Sequence, residues 1–573
     1  MESSLNKTQK EAVYSLLNKH TLVIAPAGTG KTEVLVSRIC YLLENGIKPE
    51  EICAVTFTNF AASEMSKRIK ERFNDVRKTP SAIGTIHSLY GTILRHHIDI
   101  LDIGLNHMFK IADEDQKNSI LRIVNSKYYK KERKLKDLIS KHKISKHLNP
   151  NEATNLEDQG LLETYEKYLE ILKKRWMLDY DDLLILVDRI FDLRLDILEH
   201  WRNKYKVILV DECQDLNPLQ FKLITRLIGE NSIFFGVGDP HQCIYAFAGA
   251  QKDIFNKFKE FFKDNYLQIS LLENYRSTKK IVDYSNQIKL FEPYAKVVSE
   301  EEGTIETIKT FDLINKLKDA DLSRWAILFR QNKHAKDLIK QAIENKIPFK
   351  TSKFELLEKD EIQKIISYLR LIYFDNFNPF KKLLQLKYLE LSQESKSKIF
   401  EKPNPPYLTL YEKWMSTDRD DWFENEEDNE KLSDFLKKLK RLREAKVNNL
   451  SVFVESLIPS LFEGELKQSQ KDNISLFVKW LDNIQPEKTS ESAVQVVLDI
   501  EDKAKFFKEQ KDSGDFNYLS LITIHKSKGL GWDNVAILEY DLLQESAKNR
   551  DEESEFLEYV SVTRAKKNLF LIK

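Results

Sequence analysis

Eight residues near the N-terminus, 25–32, read Ala-Pro-Ala-Gly-Thr-Gly-Lys-Thr and follow a short apolar run. A strand, a glycine turn and a helix start in this order bind phosphate, because backbone N–H groups and the positive end of the helix face the anion. In such a loop Lys31 meets the β- and γ-phosphates of a nucleotide, and the hydroxyl of Thr32 binds Mg²⁺. A glycine-rich surface turn can have the same sequence, so the assignment of a phosphate loop needs a second signal.

That second signal is the apolar run 207–210, which ends in Asp211 and Glu212. A carboxylate at the end of a buried strand can bind a metal ion, and its neighbour can act as a general base toward water. We assign the metal to Asp211, together with Thr32, and the base to Glu212. The two signals together predict a site that hydrolyses a nucleotide with Mg²⁺ as cofactor.

Apolar runs separated by helical stretches must position these residues. They lie at 21–24, 52–57, 207–210 and 233–237, and again at 325–329, 519–524 and 535–538. Buried strands that alternate with helices form parallel sheets covered by helices. The pattern predicts an α/β fold with two cores, the second assembled from two separated pieces, and a mainly helical insertion in each core.

Composition limits the alternatives. The 573 residues suffice for several domains, and 90 basic residues balance 90 acidic ones, so any contact with nucleic acid must be local. The four cysteines lack the paired spacing of zinc sites or disulfide frameworks. No apolar run approaches the ~18 residues of a membrane span, and the polar N-terminus lacks a signal-peptide core. We therefore expect a cytoplasmic protein with no membrane partner.

The order of further motifs makes the interpretation specific. Leu5-Asn6-Lys7-Thr8-Gln9 precedes the phosphate loop, and Gly238-Asp239-Pro240-His241-Gln242, Asn274-Tyr275-Arg276 and Tyr559-Val560-Ser561-Val562-Thr563-Arg564 follow the Asp-Glu pair. With these motifs the chain resembles the UvrD/Rep/PcrA group of superfamily 1A DNA helicases over nearly its whole length. The resemblance implies two RecA-like cores, 1A at 1–95 and 200–275 and 2A at 276–374 and 512–573. It also implies helical insertions, 1B at 96–199 and a reduced 2B at 375–511.

The resemblance assigns roles in the nucleotide site. Gln9 would read the adenine edge with its amide, and Tyr275 would stack on the adenine. Arg276 would clamp the γ-phosphate, Arg564 would be an arginine finger that reaches across the cleft between the cores, and Gln242 would sense the γ-phosphate or the attacking water. The catalytic residues are Lys31, Glu212, Gln242, Arg276 and Arg564. The residues expected around the phosphates are Ala27, Gly28, Thr29, Gly30, Lys31 and Thr32.

Other motifs resemble segments that contact single-stranded DNA in this family, where aromatic rings stack on bases and hydroxyl groups reach phosphates. The expected DNA-binding residues are Phe57, Thr58, Asn59, Thr85, His87, Tyr245, Phe247, Arg330, Thr523 and His525. Because Gln242 and Tyr245 share one motif, that segment is expected to couple hydrolysis to DNA. For His87, a core histidine is an equal alternative. The basic run 127–146 is either a solvated helix face or a duplex-binding patch.

The chain departs from the family pattern at four positions. Glu33, Phe60 and Ala248 stand where relatives usually have a basic residue, and Gly531 stands where they usually have a glutamate. The changes at Phe60 and Ala248 predict a weaker salt dependence of DNA binding, and Gly531 predicts relaxed nucleotide selectivity. The chain ends nine residues after Arg564. In relatives a strand-separating hairpin follows this motif, so we expect weak unaided duplex unwinding.

The functional prediction is an ATP-dependent translocase that moves 3′→5′ on single-stranded or 3′-tailed DNA. One alternative is a nucleotide-sensing DNA-binding subunit that regulates a separate nuclease in a bacterial anti-phage defence complex, akin to the UvrD-like subunit of Gabija-type systems. Another is a phosphate-loop protein without a nucleic-acid role. The aromatic and hydroxyl motifs that lie between the ATPase motifs argue against this last alternative.

Overall fold

The computed structural model describes residues 5–73, 79–124, 132–149, 159–245, 250, 253–289, 292–351, 354–374, 391–392, 394–395, 424–444, 447–462, 466–485, 487–500, 517–548 and 552–573. Phe247 and much of the predicted 2B insertion lie outside the described residues. The chain divides into two compact units. The first unit is Met1–Thr304 with Leu542–Asn568, and the second is Ile305–Asp541 with Leu569–Lys573. The finer division into four domains stays a prediction.

A six-stranded sheet in the order β3-β2-β6-β7-β1-β8 organises the first unit. In chain order the strands of this unit begin with β1 (His20–Ile24), β2 (Ile52–Thr56), β3 (Ala82–Thr85), β4 (Lys110–Ile111), β5 (Met177–Leu178), β6 (Val207–Val210), β7 (Ile233–Gly238) and β8 (Tyr266–Ser270). The short strands β4 and β5 pair with each other and are not part of the six-stranded sheet. Neighbouring strands of the six-stranded sheet pair in parallel. Both β2 and β6 are buried at every position, as expected for a parallel sheet covered on both faces.

Helices cover both faces of this sheet. In chain order the helices of the first unit up to residue 287 are α1 (Lys7–Val13), α2 (Lys31–Glu44), α3 (Asn59–Phe73), α4 (Ile86–His97), α5 (Glu114–Val124), α6 (Glu132–Leu148), α7 (Gln159–Lys174), α8 (Tyr180–Leu193), α9 (Leu195–Lys204), α10 (Pro218–Leu227), α11 (Ile254–Phe262) and α12 (Lys279–Gln287). Of these, α5, α6 and α7 pack with one another around a separate apolar cluster that includes Ile120, Leu135 and Tyr168. Leu22 and Ile24 belong to one apolar cluster and Val23 to another. Since successive strand residues face opposite sides of a sheet, each face has its own core.

A second six-stranded sheet, in the order β11-β16-β15-β12-β14-β13, organises the second unit. After the short strands β9 (Glu273–Asn274) and β10 (Lys296–Val297), its strands are β11 (Thr304–Ile308), β12 (Trp325–Phe329), β13 (Phe349–Thr351), β14 (Leu519–Thr523), β15 (Trp532–Ile537) and β16 (Ala565–Ile572). Strand β12 pairs in parallel with β14 and β15, and β13 pairs in parallel with β14. The predicted α/β class with two parallel-sheet cores is confirmed.

The remaining helices include those between β13 and β14, where the sequence predicted a helical insertion. They are α13 (Thr310–Lys318), α14 (Lys336–Glu344), α15 (Asp360–Tyr373), α16 (Glu426–Glu444), α17 (Leu450–Leu461), α18 (Gln468–Ile484), α19 (Ser490–Leu498), α20 (Ile524–Ser527), α21 (Tyr540–Lys548) and α22 (Glu552–Val562). Within the described ranges, no helix is both long enough and apolar enough to cross a lipid bilayer.

One lysine of the basic run faces the interior rather than water. The ammonium of Lys143, on α6, lies 2.7 Å from Asp179 Oδ2 and 2.7 Å from Asp182 Oδ1. Tyr168 donates a hydrogen bond to the same oxygen of Asp179 at 3.0 Å. Burial alone would lower the pKa of Lys143, but the charges of Asp182 and Asp179 raise it above its usual value. Neither alternative for this run, a solvated face or a duplex-binding patch, describes Lys143.

We predict that Lys143→Met destabilises the first unit by about 3–5 kcal/mol, because removing one partner leaves buried carboxylates without their counter-charge. Lys141→Met is the matched control, since Lys141 is exposed on the same helix. Urea unfolding followed by tryptophan fluorescence measures both variants. An equal midpoint for Lys143→Met and the control would contradict the assignment.

Candidate active site and nucleic-acid interface

The phosphate loop between β1 and α2 is held by close contacts from α1. Gly30 has φ of 89°, and a Cβ there would lie 2.7 Å from Nε2 of Gln9. The buried amide of Gln9 donates to the carbonyl of Thr29 at 3.0 Å and accepts from the backbone N–H of Asn6 at 3.0 Å. Lys31 Nζ donates to the carbonyl of Ala25 at 3.0 Å. Gln9 therefore fixes the loop in this structure, and its reading of adenine stays a prediction.

The other side of the loop, which includes Ala27 and Gly28, is fixed by Asn274. Its amide donates to the carbonyl of Ala27 at 2.8 Å and accepts from the backbone N–H of Arg276 at 2.9 Å. The backbone N–H of Tyr275 donates to the carbonyl of Gly28 at 2.9 Å. The Tyr275 ring is 50% exposed, so one face can accept a flat base. The sequence motif contained Asn274, but no role was assigned to it.

Asp211 and Glu212 follow β6 as predicted. The backbone N–H of Asp211 donates to the carbonyl of Val55 at 2.9 Å, and Oδ1 of Asp211 accepts from the N–H of Glu212 at 3.0 Å. Glu212 has φ of 52°, a left-handed conformation that is uncommon for a residue with a side chain. Gln214 Nε2 donates to its carboxylate at 2.5 Å. The Glu212 side chain is therefore held in place while remaining partly exposed.

The residues proposed for magnesium fit that ion by their chemistry. Thr32 lies in the first turn of α2 and Asp211 follows β6, and their hydroxyl and carboxylate oxygens are the hard ligands that Mg²⁺ prefers. Among the described residues, no group of three or more His, Cys, Asp or Glu side chains could hold a metal ion. Magnesium would therefore take its other ligands from water and from nucleotide phosphates, as is usual for this ion.

Gln242 is held at both ends of its amide. Its Nε2 donates to Asp239 Oδ2 at 2.7 Å, and its Oε1 accepts from Arg564 Nη2 at 3.4 Å. Asp239 is fully buried. Burial by itself raises the pKa of that carboxyl, but His241 and the positive charge of Lys31 hold the pKa well below its usual range. A permanently charged carboxylate therefore orients the amide of Gln242.

Several cations gather around these groups within the first unit. Burial lowers the pKa of Arg276. Burial and the nearby charge of Arg276 lower the pKa of Arg564 to about 9, which still leaves that guanidinium charged at neutral pH. Burial also lowers the pKa of Lys289 to about 8, while Asp239 opposes this effect. With Lys31, these side chains form a positive site suited to a polyphosphate, and no sequence motif had pointed to Lys289.

The two described aromatic residues of the expected DNA site lie together. The rings of Phe57 and Tyr245 stack, with centroids 4.7 Å apart and planes 27° apart. Phe57 follows β2, and Tyr245 lies three residues after Gln242. Both rings remain partly exposed, so a base can stack against them. The third expected aromatic, Phe247, lies outside the described residues.

Hydroxyl and amide groups that were expected to contact DNA lie at the starts of two helices. Thr58 Oγ1 accepts from the N–H of Ala61 at 3.2 Å near the start of α3, and Thr85 Oγ1 accepts from the N–H of Ser88 at 3.2 Å at the start of α4. A hydroxyl that accepts in this way can still donate its hydrogen to a phosphate oxygen. Asn59 is exposed at the first position of α3.

His87 contacts an aromatic ring rather than a charged partner. Its imidazole lies edge-on to Tyr180, with ring centroids 5.1 Å apart. Burial, together with the charge of Lys117, lowers the pKa of His87 to about 4. The imidazole is therefore neutral at physiological pH in the protein without DNA.

The expected DNA residues of the second unit share one edge of its sheet. Arg330 follows β12 and Thr523 ends β14, and these strands pair in parallel with Phe329 opposite Thr523. His525 lies in the first turn of α20, directly after β14. Because the carboxyl ends of parallel strands meet at the same edge, the three residues lie in one region of the second unit.

Comparison with known proteins gives matches over nearly the whole chain. The model of the UvrD/REP helicase N-terminal domain matches residues 5–263, and the model of the UvrD-like helicase C-terminal domain matches residues 269–573. The ATP-dependent DNA helicase Rep of Buchnera aphidicola is 30% identical over 620 aligned positions, which cover 99% of this chain and 94% of Rep. A probable DNA helicase II homolog of Mycoplasma capricolum is 30% identical, with 99% and 84% covered. PcrA of Bacillus subtilis is 28% identical, with 99% and 82% covered.

Proposed function

Because this chain belongs to the UvrD/Rep family of DNA helicases, we propose that it is an ATP-driven motor that moves 3′→5′ along single-stranded DNA. The resemblance predicted from the motifs is confirmed, and with it the assignment to ATP-dependent DNA helicases. The direction of movement, the magnesium cofactor and the roles of individual residues belong to the proposal. A cytoplasmic location and a partner nuclease stay predictions.

The observation that carries the proposal is the short segment from Gln242 to Tyr245. Gln242 contacts Asp239 and Arg564 in the nucleotide site, and Tyr245 stacks on Phe57. A movement of Gln242 on loss of the γ-phosphate would therefore be transmitted through three peptide bonds to the aromatic pair. Because base stacking contributes about 1–3 kcal/mol per base, a small shift of these rings is enough to change the affinity for DNA.

For hydrolysis, we propose that Glu212 accepts a proton from the attacking water while Gln242 orients that water. Lys31, Arg276 and Arg564 offset the negative charge that develops on the transferred phosphoryl group. Thr32 and Asp211 would hold magnesium, which neutralises phosphate charge when bound. The exposed face of Tyr275 is suited to stack on the adenine.

Steady-state ATP hydrolysis with and without single-stranded DNA tests the coupling. We predict that Tyr245→Ala keeps its basal ATPase rate but needs roughly 5- to 150-fold more DNA for half-maximal stimulation, since one stacking face is lost. Phe311→Ala is the matched control, because Phe311 is a 71% exposed aromatic residue of the second unit. Unchanged stimulation in Tyr245→Ala, or an equal loss in Phe311→Ala, would contradict the proposed DNA contact.

The direction of movement is tested by displacement of streptavidin from biotinylated oligonucleotides. A motor that moves 3′→5′ pushes streptavidin off a 5′ end, so we predict at least a tenfold faster release from 5′-biotin than from 3′-biotin in the presence of ATP and magnesium. Release from both ends at the rate seen without ATP would count against translocation, and faster release from 3′-biotin would reverse the proposed direction.

A further inference from the structure

Tyr559, on α22, is a buried tyrosine whose hydroxyl connects two parts of the nucleotide site. The hydroxyl donates to Asp239 Oδ2 at 3.3 Å and accepts from the backbone N–H of Ala27 at 3.4 Å. Ala27 belongs to the phosphate loop, and Asp239 orients Gln242. The side chain is 2% exposed, so water does not compete freely for these hydrogen bonds.

These contacts close a ring of interactions. Asp239 Oδ2 accepts from both Tyr559 and Gln242, and Gln242 accepts in turn from Arg564. Arg564 lies two residues after the end of α22, and the backbone N–H of Thr563 donates to the carbonyl of Tyr559 at 3.1 Å. The same helix end therefore presents both the hydroxyl that reaches Asp239 and the guanidinium that reaches Gln242.

The ring of Tyr559 is fixed independently of its hydroxyl. The ammonium of Lys289 lies 5.3 Å from the ring centroid, within the range of a cation–π contact, and donates to the carbonyl of Pro293 at 2.7 Å. The imidazole of His241 lies on the same ring, with centroids 5.5 Å apart. Loss of the hydroxyl alone should therefore leave the ring in place.

We propose that Tyr559 is a positioning residue for hydrolysis, which sets Gln242 and Arg564 relative to the phosphate loop through its hydroxyl. The proposal rests on the proposed function, because it assumes that Gln242 and Arg564 act on the γ-phosphate. The hydroxyl of Tyr559 contacts Asp239 and the backbone of Ala27, so its effect on hydrolysis would pass through Gln242 and the phosphate loop.

Both hydrogen bonds of the Tyr559 hydroxyl are long, at 3.3 Å to Asp239 and 3.4 Å to Ala27. Hydrogen bonds in active sites are often long in the free enzyme and tighten in the complex that reacts. An interaction that strengthens toward the transition state raises kcat and leaves the binding of the substrate nearly unchanged. Tyr559 should therefore affect kcat far more than KM for ATP.

Tyr559→Phe tests this directly, because it removes the hydroxyl and keeps the ring. We expect kcat for ATP hydrolysis to fall about tenfold while KM for ATP stays within about twofold of the wild-type value. Tyr168→Phe is the matched control, since it also removes a buried hydroxyl that donates to a carboxylate, Asp179, in the helical region of the same unit. A wild-type kcat in Tyr559→Phe, a rise in KM alone, or an equal fall in Tyr168→Phe would overturn the proposal.

A double-mutant cycle with Gln242→Ala tests the route of the effect. If Tyr559 acts through Gln242, Tyr559→Phe lowers the residual rate of Gln242→Ala by less than twofold, whereas independent action would lower it tenfold again. All rates are measured with and without single-stranded DNA. A wild-type enzyme that DNA does not stimulate would contradict the proposed function, while the basal rates would still decide the role of Tyr559.

Discussion

The parallel pairing of β2, β6, β7 and β1 is the constraint on which the site depends. Parallel strands bring their carboxyl ends to one edge, so Phe57, Asp211, Asp239 and the phosphate loop follow one another along that edge in this order. Adjacent strands lie about 4.8 Å apart, which separates the aromatic residue after β2 from the loop after β1 by roughly 14 Å. A four-residue segment spans at most about 14 Å. The segment 242–245 follows β7, one of the two strands between them, and is therefore long enough to contact both.

Buried charge gives this edge its chemical character. Lys31 and Lys289 lie near Asp239, and Arg276 and Arg564 lie near Glu212. Burial lowers the pKa of Arg276, Lys289 and Arg564. Charges in such surroundings are costly unless they are paired, and Asp239 offsets part of this cost. A polyphosphate would supply further negative charge. The electrostatics of the site therefore favour a nucleotide over a neutral ligand.

Much of this site could be predicted from the sequence because its signals are local. The phosphate loop, the Asp-Glu pair and the buried strands each depend on residues that are neighbours in the chain, and the structure has them at the ends of the expected strands. The Tyr559 hydroxyl, by contrast, meets an aspartate 320 positions earlier in the chain. A local stretch of sequence gives no indication of a contact between residues so far apart in the chain. Lys289 and Lys143 resemble ordinary surface lysines in the sequence, and only the tertiary packing shows that they are buried.

In the proposed motor, Gln242 links the bound nucleotide to the aromatic pair of Phe57 and Tyr245, which would stack on DNA. The fluorescence of 2-aminopurine in single-stranded DNA reports base stacking directly. We would measure it when the complex of protein and DNA is mixed with a non-hydrolysable ATP analogue. We expect a nucleotide-dependent change in fluorescence for the wild-type protein, and its loss in Gln242→Ala even though that variant still binds DNA and the analogue. A wild-type signal that does not respond to the analogue, or an undiminished response in Gln242→Ala, would show that Gln242 does not couple the two sites.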